Sequence, residues 1–197
     1  MILDNEKLLR IENALMCLEI FSRDIHTFFA MANYLNILDK DPYIYSPFRN
    51  ICNALLGDAT VRWCQVFGTY SEDNHWKKII NDHEAFMSKL LNNIGMDTLS
   101  YEEYNKEMRE FRNKAIAHFE PQYMNAENIV PTFSIAMKTS SYLHGYMRNS
   151  LPVQMKNNHP DDLMRFGEIT AQCVLNKFGD DFFITLIIQS NFLNSWG

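Results

Sequence analysis

A cationic stretch near the middle of the chain carries the residues best suited to chemistry. A guanidinium can hold a phosphate through paired N–H donors, and an imidazole exchanges protons near neutral pH. Arg112 and His118 supply these two groups. Three further cations precede His118, namely Lys106, Arg109 and Lys114. If the stretch is helical, all three lie within about 18 Å of His118, because an α-helix rises 1.5 Å per residue. Residues of these types can act on a phosphate group, whereas the charge pattern taken alone favours an ordinary solvated face.

The spacing of Arg112 and His118 limits how they can cooperate. Six residues on an ideal α-helix correspond to ~9 Å along the axis and ~120° around it, so the two side chains are not stacked neighbours. The small residues Ala115 and Ala117 would let a second copy of the helix approach. The alternative is a solvated face, because glutamates on the same stretch offer i,i+3 and i,i+4 partners for the cations: Glu102, Glu103, Glu107 and Glu110.

Helices are predicted on both sides of this stretch. Apolar residues recur at steps of three and four, which is the spacing of one buried helical face. The predicted first helix, from 2 to 39, is either continuous or interrupted near Ser22. Trp63 and Trp76 fall on apolar stripes and are expected in the core. The predicted helices cover residues 2–39, 48–67, 71–94, 101–118, 133–146 and 161–178.

Local signals suggest where several of these helices begin and end. Proline disfavours helix continuation, so the second helix is expected to begin after Pro47. Gly68 and Gly95 suit C-terminal caps. The four residues from Ser71 to Asn74 offer N-caps for the third helix. Ser100 and Glu103 have the capping-box spacing, which predicts that the fourth helix begins near Tyr101.

The bulk composition fits one all-α domain. The 197 residues are 47% hydrophobic and 21% charged, with only 7 Gly and 6 Pro, as expected of a globular helical chain. No internal repeat or linker divides them. The sequence therefore predicts a single antiparallel helical bundle over residues 1–197, with an apolar C-terminal extension from about residue 180 whose secondary structure is open.

Charge, cysteines and apolar runs narrow the function classes. The net charge of −6 gives no global footprint for nucleic acid, so a polyanion must bind a local cationic patch. The four scattered cysteines and the eight-residue spacing of His75 and His83 suit no metal site, and no glycine-rich phosphate loop implies a cofactor. The chain opens without an export signal and has no run long enough to cross a membrane, so we expect a cytoplasmic protein.

The segment Phe111 to His118, FRNKAIAH, resembles the R-x(4–6)-H signature of the HEPN superfamily, in which Asn often follows the arginine. The wider pattern is similar to the AbiU-type branch associated with phage abortive infection. It comprises Trp63-Cys64, Phe67-Gly68 and His75-Trp76-Lys77-Lys78, followed by FRNKAIAH. The resemblance covers roughly residues 48 to 120.

This resemblance implies a metal-independent endoribonuclease that acts as a homodimer. It also implies a toxin of a phage-defence or toxin–antitoxin system, with RNA as substrate and a cognate antitoxin protein as a further partner. The implied catalytic residues are Arg112, Asn113 and His118, and Arg109 and Lys114 are candidates for substrate binding. A non-catalytic helical module that binds a nucleotide or a protein partner is the alternative.

One position departs from a subset of the family. Members controlled by nucleotidylation carry a tyrosine two residues after the histidine, whereas this chain has Glu120. That mode of regulation is therefore not expected here. Tyr123 lies five residues after His118 and past Pro121, so it does not match the pattern.

Overall fold

The computed structural model describes residues 5–35, 42–117 and 130–177. All regular structure in these ranges is helical, which confirms the all-α prediction for this part of the chain. No helix in the same ranges combines the length and apolar character that crossing a membrane requires. The helices are α1 (Asn5–Leu35), α2 (Pro42–Phe67), α3 (His83–Ile94), α4 (Thr98–Phe111), α5 (Phe133–Ser150), α6 (Val153–Lys156) and α7 (Leu163–Lys177), with a 3₁₀ turn at Trp76–Lys78 and a π-helical turn at Arg112–Ala117.

Helix α1 forms the centre of the bundle, where it packs along α2 and α7 and against α5. Its buried apolar side chains recur at helical spacing, as the sequence predicted, and include Ile11, Leu15, Leu18, Phe21 and Ile25. The helix is continuous through Ser22. The Ser22 hydroxyl donates a hydrogen bond to the backbone carbonyl of Leu163, at 2.7 Å, and so fastens the start of α7 to α1.

Helix α2 begins earlier than the sequence predicted. It includes both Pro42 and Pro47, whereas we expected the helix to begin only after Pro47. Pro42 occupies the first helical position, where a missing N–H costs nothing because that donor has no partner inside the helix. Pro47 removes one ladder hydrogen bond, and the helix continues past it.

The end of α2 lies where we predicted it. Gly68 follows Phe67, and its N–H donates to the carbonyl of Cys64 at 2.8 Å. A Cβ at Gly68 would lie 2.3 Å from that carbonyl oxygen, which leaves no room for a side chain. Close approach of backbone to backbone therefore requires glycine here.

The predicted third helix is in fact two elements. A 3₁₀ turn at Trp76–Lys78 precedes α3, and α3 is capped by Asp82, whose side chain accepts from the N–H of Ala85 at 3.0 Å. The cap we expected among residues 71–74 is therefore wrong. Asp82 competes with helix continuation because its carboxylate satisfies backbone donors of a new first turn. Gly95 ends α3 in the left-handed conformation at φ 73°, as predicted.

Helix α4 begins three residues before the predicted start at Tyr101. Its N-cap is Asp97, whose Oδ1 accepts from the N–H of Ser100 at 2.9 Å, and the Ser100 hydroxyl donates to Oδ2 at 2.7 Å. Ser100 therefore lies inside the first turn and is not the cap. These hydrogen bonds from Ser100 hold the pKa of Asp97 below its ordinary value.

We expect Asp97→Ala to lower the melting temperature by a few degrees at neutral pH, because the first turn of α4 loses its cap. A depressed folded-state pKa means that the unfolded chain binds the proton first as the pH falls. The stabilisation by Asp97 is therefore present at neutral pH, declines from about pH 4 and disappears below the folded-state pKa. Asp97→Asn, which still caps, is the control. Melting curves that are equally affected at neutral and strongly acidic pH would contradict this assignment.

A buried polar network fastens α1 to the C-terminal half of the described chain. Glu19 Oε1 lies 2.6 Å from Nδ1 of His159 and 3.3 Å from Nε2 of His144. Glu12 Oε1 lies 3.2 Å from the other ring nitrogen of His159. Both imidazoles are buried. Because these contacts satisfy ring nitrogens that would otherwise be buried without partners, the network stabilises the packing of α5 and the turn before α7 on α1.

Candidate functional site

One face of α4 is fixed in the core, and this determines where its cations lie. Tyr104, Met108 and Phe111 are buried, as predicted from their spacing. The rings of Tyr104 and Trp63 meet edge to face with centroids 5.8 Å apart. Since side chains on the opposite face of a buried stripe point away from the core, Lys106 is left exposed. The core contacts of α4 therefore position its charged face.

The FRNKAIAH segment leaves the α-helical geometry at its arginine. Residues Arg112–Ala117 form a π-helical turn, with hydrogen bonds from i to i+5, where we expected α4 to continue. The wider turn holds an additional residue, so the angular spacing that we calculated from Arg112 for an ideal α-helix does not apply within it. Single π-helical turns within helices occur frequently at functional sites.

The Arg112 side chain has two partners within the protein. Its Nη1 lies 3.0 Å from Oε1 of Glu72, and its Nε donates to Oδ1 of Asn113 at 3.1 Å. The Arg112 side chain is 20% exposed and that of Glu72 is 31% exposed. Two of the five guanidinium N–H donors are thus engaged, and the group remains at the surface. The structure brings together two of the predicted site residues, Arg112 and Asn113.

The two predicted substrate-binding residues differ in their surroundings. Lys114 lies 3.7 Å from Oε2 of Glu110, one turn earlier, as the solvated-face alternative anticipated. Arg109 is half-buried, and its Nε donates to the backbone carbonyl of Asn105 at 3.4 Å. Within the described ranges, no carboxylate forms an ion pair with Arg109. Of these two residues, Arg109 therefore offers the less compensated charge.

His118 lies outside the described residues, as do Glu120, Pro121 and Tyr123. Its predicted catalytic role therefore stays a prediction. The structure describes the backbone of the preceding π-helical turn up to Ala117. It places Arg112 at the start of that turn.

A groove of about 900 Å³ lies between α3 and α4, and it is lined by Arg109, which precedes Arg112 by three residues. Its apolar wall includes Phe67, Met87, Leu91, Met96 and Tyr101. Its polar wall includes Lys77, Lys106, Arg109, His75, His83, Asn105, Glu84, Asp97 and Glu102. Three cations in this set, Lys77, Lys106 and Arg109, form no ion pair with any carboxylate that the structure describes. The groove therefore brings three cations together on one concave surface without neutralising them by ion pairs.

The histidines of the groove are held by backbone groups. His75 Nδ1 accepts from the N–H of Lys77 at 3.2 Å, and His83 Nε2 lies 2.7 Å from the carbonyl of Lys77. Burial, followed by the charges of Lys77, Lys78 and His83, lowers the pKa of His75 to about 4. His75 is therefore neutral at physiological pH and acts here as a structural acceptor.

Cys64 lies beneath α4, where its thiol points at the carbonyl of Met108 at 3.8 Å. Burial raises the pKa of this thiol to about 12, although the guanidinium of Arg112 acts in the opposite direction. A thiol that stays protonated is a poor nucleophile. Cys64 therefore belongs to the packing under the site.

The chain was also compared with known proteins. Nothing matches. No protein family model, no curated protein and no solved structure has significant similarity to the sequence or to the fold. The assignment of function therefore depends on the residues and their geometry, together with the motif resemblance.

Glu72 is the site residue that the sequence did not indicate. We considered it as a helix-cap candidate within residues 71–74 and, with His75 and His83, in the metal site that their spacing does not suit, and it lies 40 residues from Arg112. The ion pair forms because the segment between α2 and α3 packs beside the end of α4. Helical spacing within α4 offers only local partners for Arg112, and it gives no signal for a carboxylate in another segment.

Proposed function

We propose that this chain is a metal-independent endoribonuclease of the HEPN type that acts as a homodimer. The observation that carries the proposal is the position of Arg112. Its guanidinium is surface-accessible and is oriented by Asn113 at 3.1 Å, and the residue lies at the start of a π-helical turn. Three residues earlier, Arg109 lines a groove with Lys77 and Lys106, and none of these three cations forms an ion pair with a carboxylate that the structure describes. A role as the toxin of a phage-defence or toxin–antitoxin system, with an antitoxin as partner, follows from the motif resemblance.

The proposed chemistry uses the RNA as its own nucleophile. The 2′-hydroxyl attacks the adjacent phosphorus, the bond between phosphorus and O5′ breaks, and the products are a 2′,3′-cyclic phosphate and a free 5′-hydroxyl. The 2′-hydroxyl loses a proton and the departing O5′ gains one, and His118 carries out this transfer, since an imidazole of ordinary pKa, ~6.5, can accept and donate a proton near neutrality. Arg112 stabilises the negative charge that accumulates on the pentavalent phosphorus centre.

Asn113 has a narrower role in this proposal than the one predicted from the motif. Its Oδ1 accepts from Nε of Arg112. This contact fixes the plane of the guanidinium and leaves its terminal nitrogen Nη2 available for a phosphate oxygen. Asn113 is therefore a positioning residue for Arg112, because its carbonyl oxygen is already occupied by the guanidinium.

A second candidate is a non-catalytic module in which the arginine has a structural role. The observation that favours it is the ion pair between Arg112 and Glu72 at 3.0 Å. A carboxylate that already neutralises the arginine reduces its attraction for a phosphate. In that case the protein binds a nucleotide or a protein partner, and Arg112 fastens the segment between α2 and α3 to α4.

Cleavage of a mixed RNA pool in EDTA tests the proposal. We expect the wild-type protein to produce 2′,3′-cyclic phosphate ends, and His118→Ala to reduce the rate by about two to four orders of magnitude, the usual contribution of a general acid or base. His26→Ala is the control, because His26 is a half-buried histidine of α1 that does not line the groove. A folded wild-type dimer that leaves all RNAs intact, or a His118 variant as active as the control, would refute the proposal.

A further inference from the structure

We propose that the groove between α3 and α4 is a subsite for single-stranded RNA. In this subsite, Arg109 and then Lys106 hold the next two phosphates along the strand from the one at Arg112. The inference rests on the proposed function, because it takes Arg112 to mark the reacting phosphate. What it adds is the path of the strand, the class of substrate and the number of nucleotides that the chain holds.

The spacing of the cations along α4 supports this path. Lys106, Arg109 and Arg112 follow one another at steps of three residues, each of which advances about 4.5 Å along the helix. The distance from first to last is thus about 9 Å. Stacked nucleotides of one strand rise about 3.4 Å each. The three cations therefore extend over the length of about three nucleotides, along a path that turns about 120° around α4 from Lys106 to Arg112.

The charges of the groove are compensated unequally. Lys106 and Arg109 line it without an ion pair to any carboxylate that the structure describes, and Lys77 joins them from the 3₁₀ turn with its Nζ 5.5 Å from the centre of the Trp76 ring. By contrast, Arg112 and Lys114 both have glutamate partners. Lys106 and Arg109 are thus less compensated by ion pairs than Arg112 and Lys114, and they offer a protein of net charge −6 a local contact for phosphate.

The acidic side chains of the groove limit the length of the subsite. Asp97 is occupied as the cap of α4 through two hydrogen bonds from Ser100. Glu102 lies one turn before Lys106, on the same wall. A phosphate that followed α4 beyond Lys106 would meet Glu102 and Asp97, so the strand leaves the helix there. Glu84, at the start of α3, lines the opposite wall.

The other wall of the groove suits unpaired bases. Met87 and Leu91 of α3 present apolar surface, and Ser88 and Asn92 of the same helix add hydrogen-bonding groups. The bases of a single strand expose their faces and edges to such a wall, whereas those of a duplex are stacked and paired with each other. The substrate class is therefore single-stranded RNA or an unpaired loop.

The test is binding of a fluorescent 2′-O-methyl hexauridylate, which cannot be cleaved because its 2′-oxygens are blocked. Anisotropy titrations between about 50 and 200 mM salt give the slope of the logarithm of the affinity against that of the salt concentration. Each lost contact between a cation and a single-strand phosphate reduces this slope by about 0.7. We expect that reduction for Lys106→Ala and for Arg109→Gln, and about 1.4 for the double variant.

Two exposed lysines provide matched controls for charge. Lys89 lies on α3 but does not line the groove, and Lys138 lies on α5. We expect Lys89→Ala and Lys138→Ala to leave the slope unchanged. Circular dichroism on all variants establishes that they are folded, and the glutamine at position 109 retains part of the arginine's length and polarity.

The outcomes separate this inference from the proposed ribonuclease function. A wild-type protein that does not bind the oligonucleotide, or groove variants with the slope of the two controls, would overturn the subsite even if RNA is cleaved through Arg112 and His118. Groove-dependent binding without cleavage of the corresponding unmodified RNA would instead establish the subsite and refute the nuclease.

Discussion

Replacing Arg112 with alanine is expected to lower the rate constant of RNA cleavage by about two to three orders of magnitude, the usual effect of removing one donor to a transition-state oxyanion. After its bonds to Glu72 and Asn113, the guanidinium keeps N–H donors that bond to no other residue the structure describes. Single-turnover cleavage at saturating protein isolates this step from RNA binding. The loss is expected in the rate constant more than in the affinity.

Arg112→Lys distinguishes charge from geometry. Lysine keeps the positive charge but lacks the planar fork that contacts Glu72 and Asn113 at once. We therefore expect partial activity, between that of the wild type and that of Arg112→Ala. Arg62→Ala is the matched control, because Arg62 is an arginine with its own carboxylate partner, Asp58 at 3.3 Å, in α2.

Glu72→Gln tests the structural alternative. If Arg112 contacts phosphate, removal of the competing carboxylate should leave cleavage intact or increase it at low salt. If Arg112 serves only the ion pair, Glu72→Gln and Arg112→Ala should each lower the free energy of unfolding by about 0.2–1 kcal/mol, as the loss of a partly exposed ion pair does. Neither substitution should then change the rate of RNA cleavage. Equal cleavage by Arg112→Ala and Arg62→Ala would exclude the catalytic role.

The helical character and the buried faces of these segments were predictable from the sequence because burial imposes a repeat that a single sequence displays. Leu15 and Phe21 in α1 and Met108 in α4 lie on predicted apolar stripes, and all three are buried. The starting residues were harder to predict. Asp97 and Ser100 both suit an N-cap and lie three residues apart, so their types alone do not distinguish cap from first turn. The hydrogen bonds from Ser100 to Asp97 resolve this choice.

The sequence indicated the site residues that lie within one short segment, but not their partner from another part of the chain. Arg112 and Asn113 are chain neighbours on the predicted motif, and the structure adds a side-chain contact of 3.1 Å between them that we did not predict. The partner Glu72 depends on how a segment 40 residues away packs, for which one sequence carries no signal. The π-helical turn was missed for a similar reason, since RNKAIA has an ordinary helical composition and the wider turn depends on the surrounding fold.

Trp63→Ala is expected to destabilise the protein by about 3–5 kcal/mol, the range for truncation of a buried aromatic side chain. Trp63 is 0% exposed and connects three helices. Its ring stacks on Phe67 with centroids 5.2 Å apart and meets Tyr104 of α4, and its Nε1 donates to the hydroxyl of Thr139 in α5 at 3.1 Å. Domains typically have a free energy of unfolding of about 5–15 kcal/mol, so this substitution would remove a large part of it.

Chemical denaturation monitored by circular dichroism measures the loss of unfolding free energy. One further variant isolates the contribution of the hydrogen bond, and another serves as a control at an exposed position. Thr139→Val retains the packing but leaves the indole N–H without an acceptor, which should cost about 1–3 kcal/mol. Leu99→Ala, at a side chain that is 78% exposed on α4, should change stability by less than about 0.5 kcal/mol. A Trp63→Ala protein as stable as Leu99→Ala would mean that the junction of α2, α4 and α5 does not support the fold. The buried position of α4, and with it the orientation of its cations, would then need another explanation.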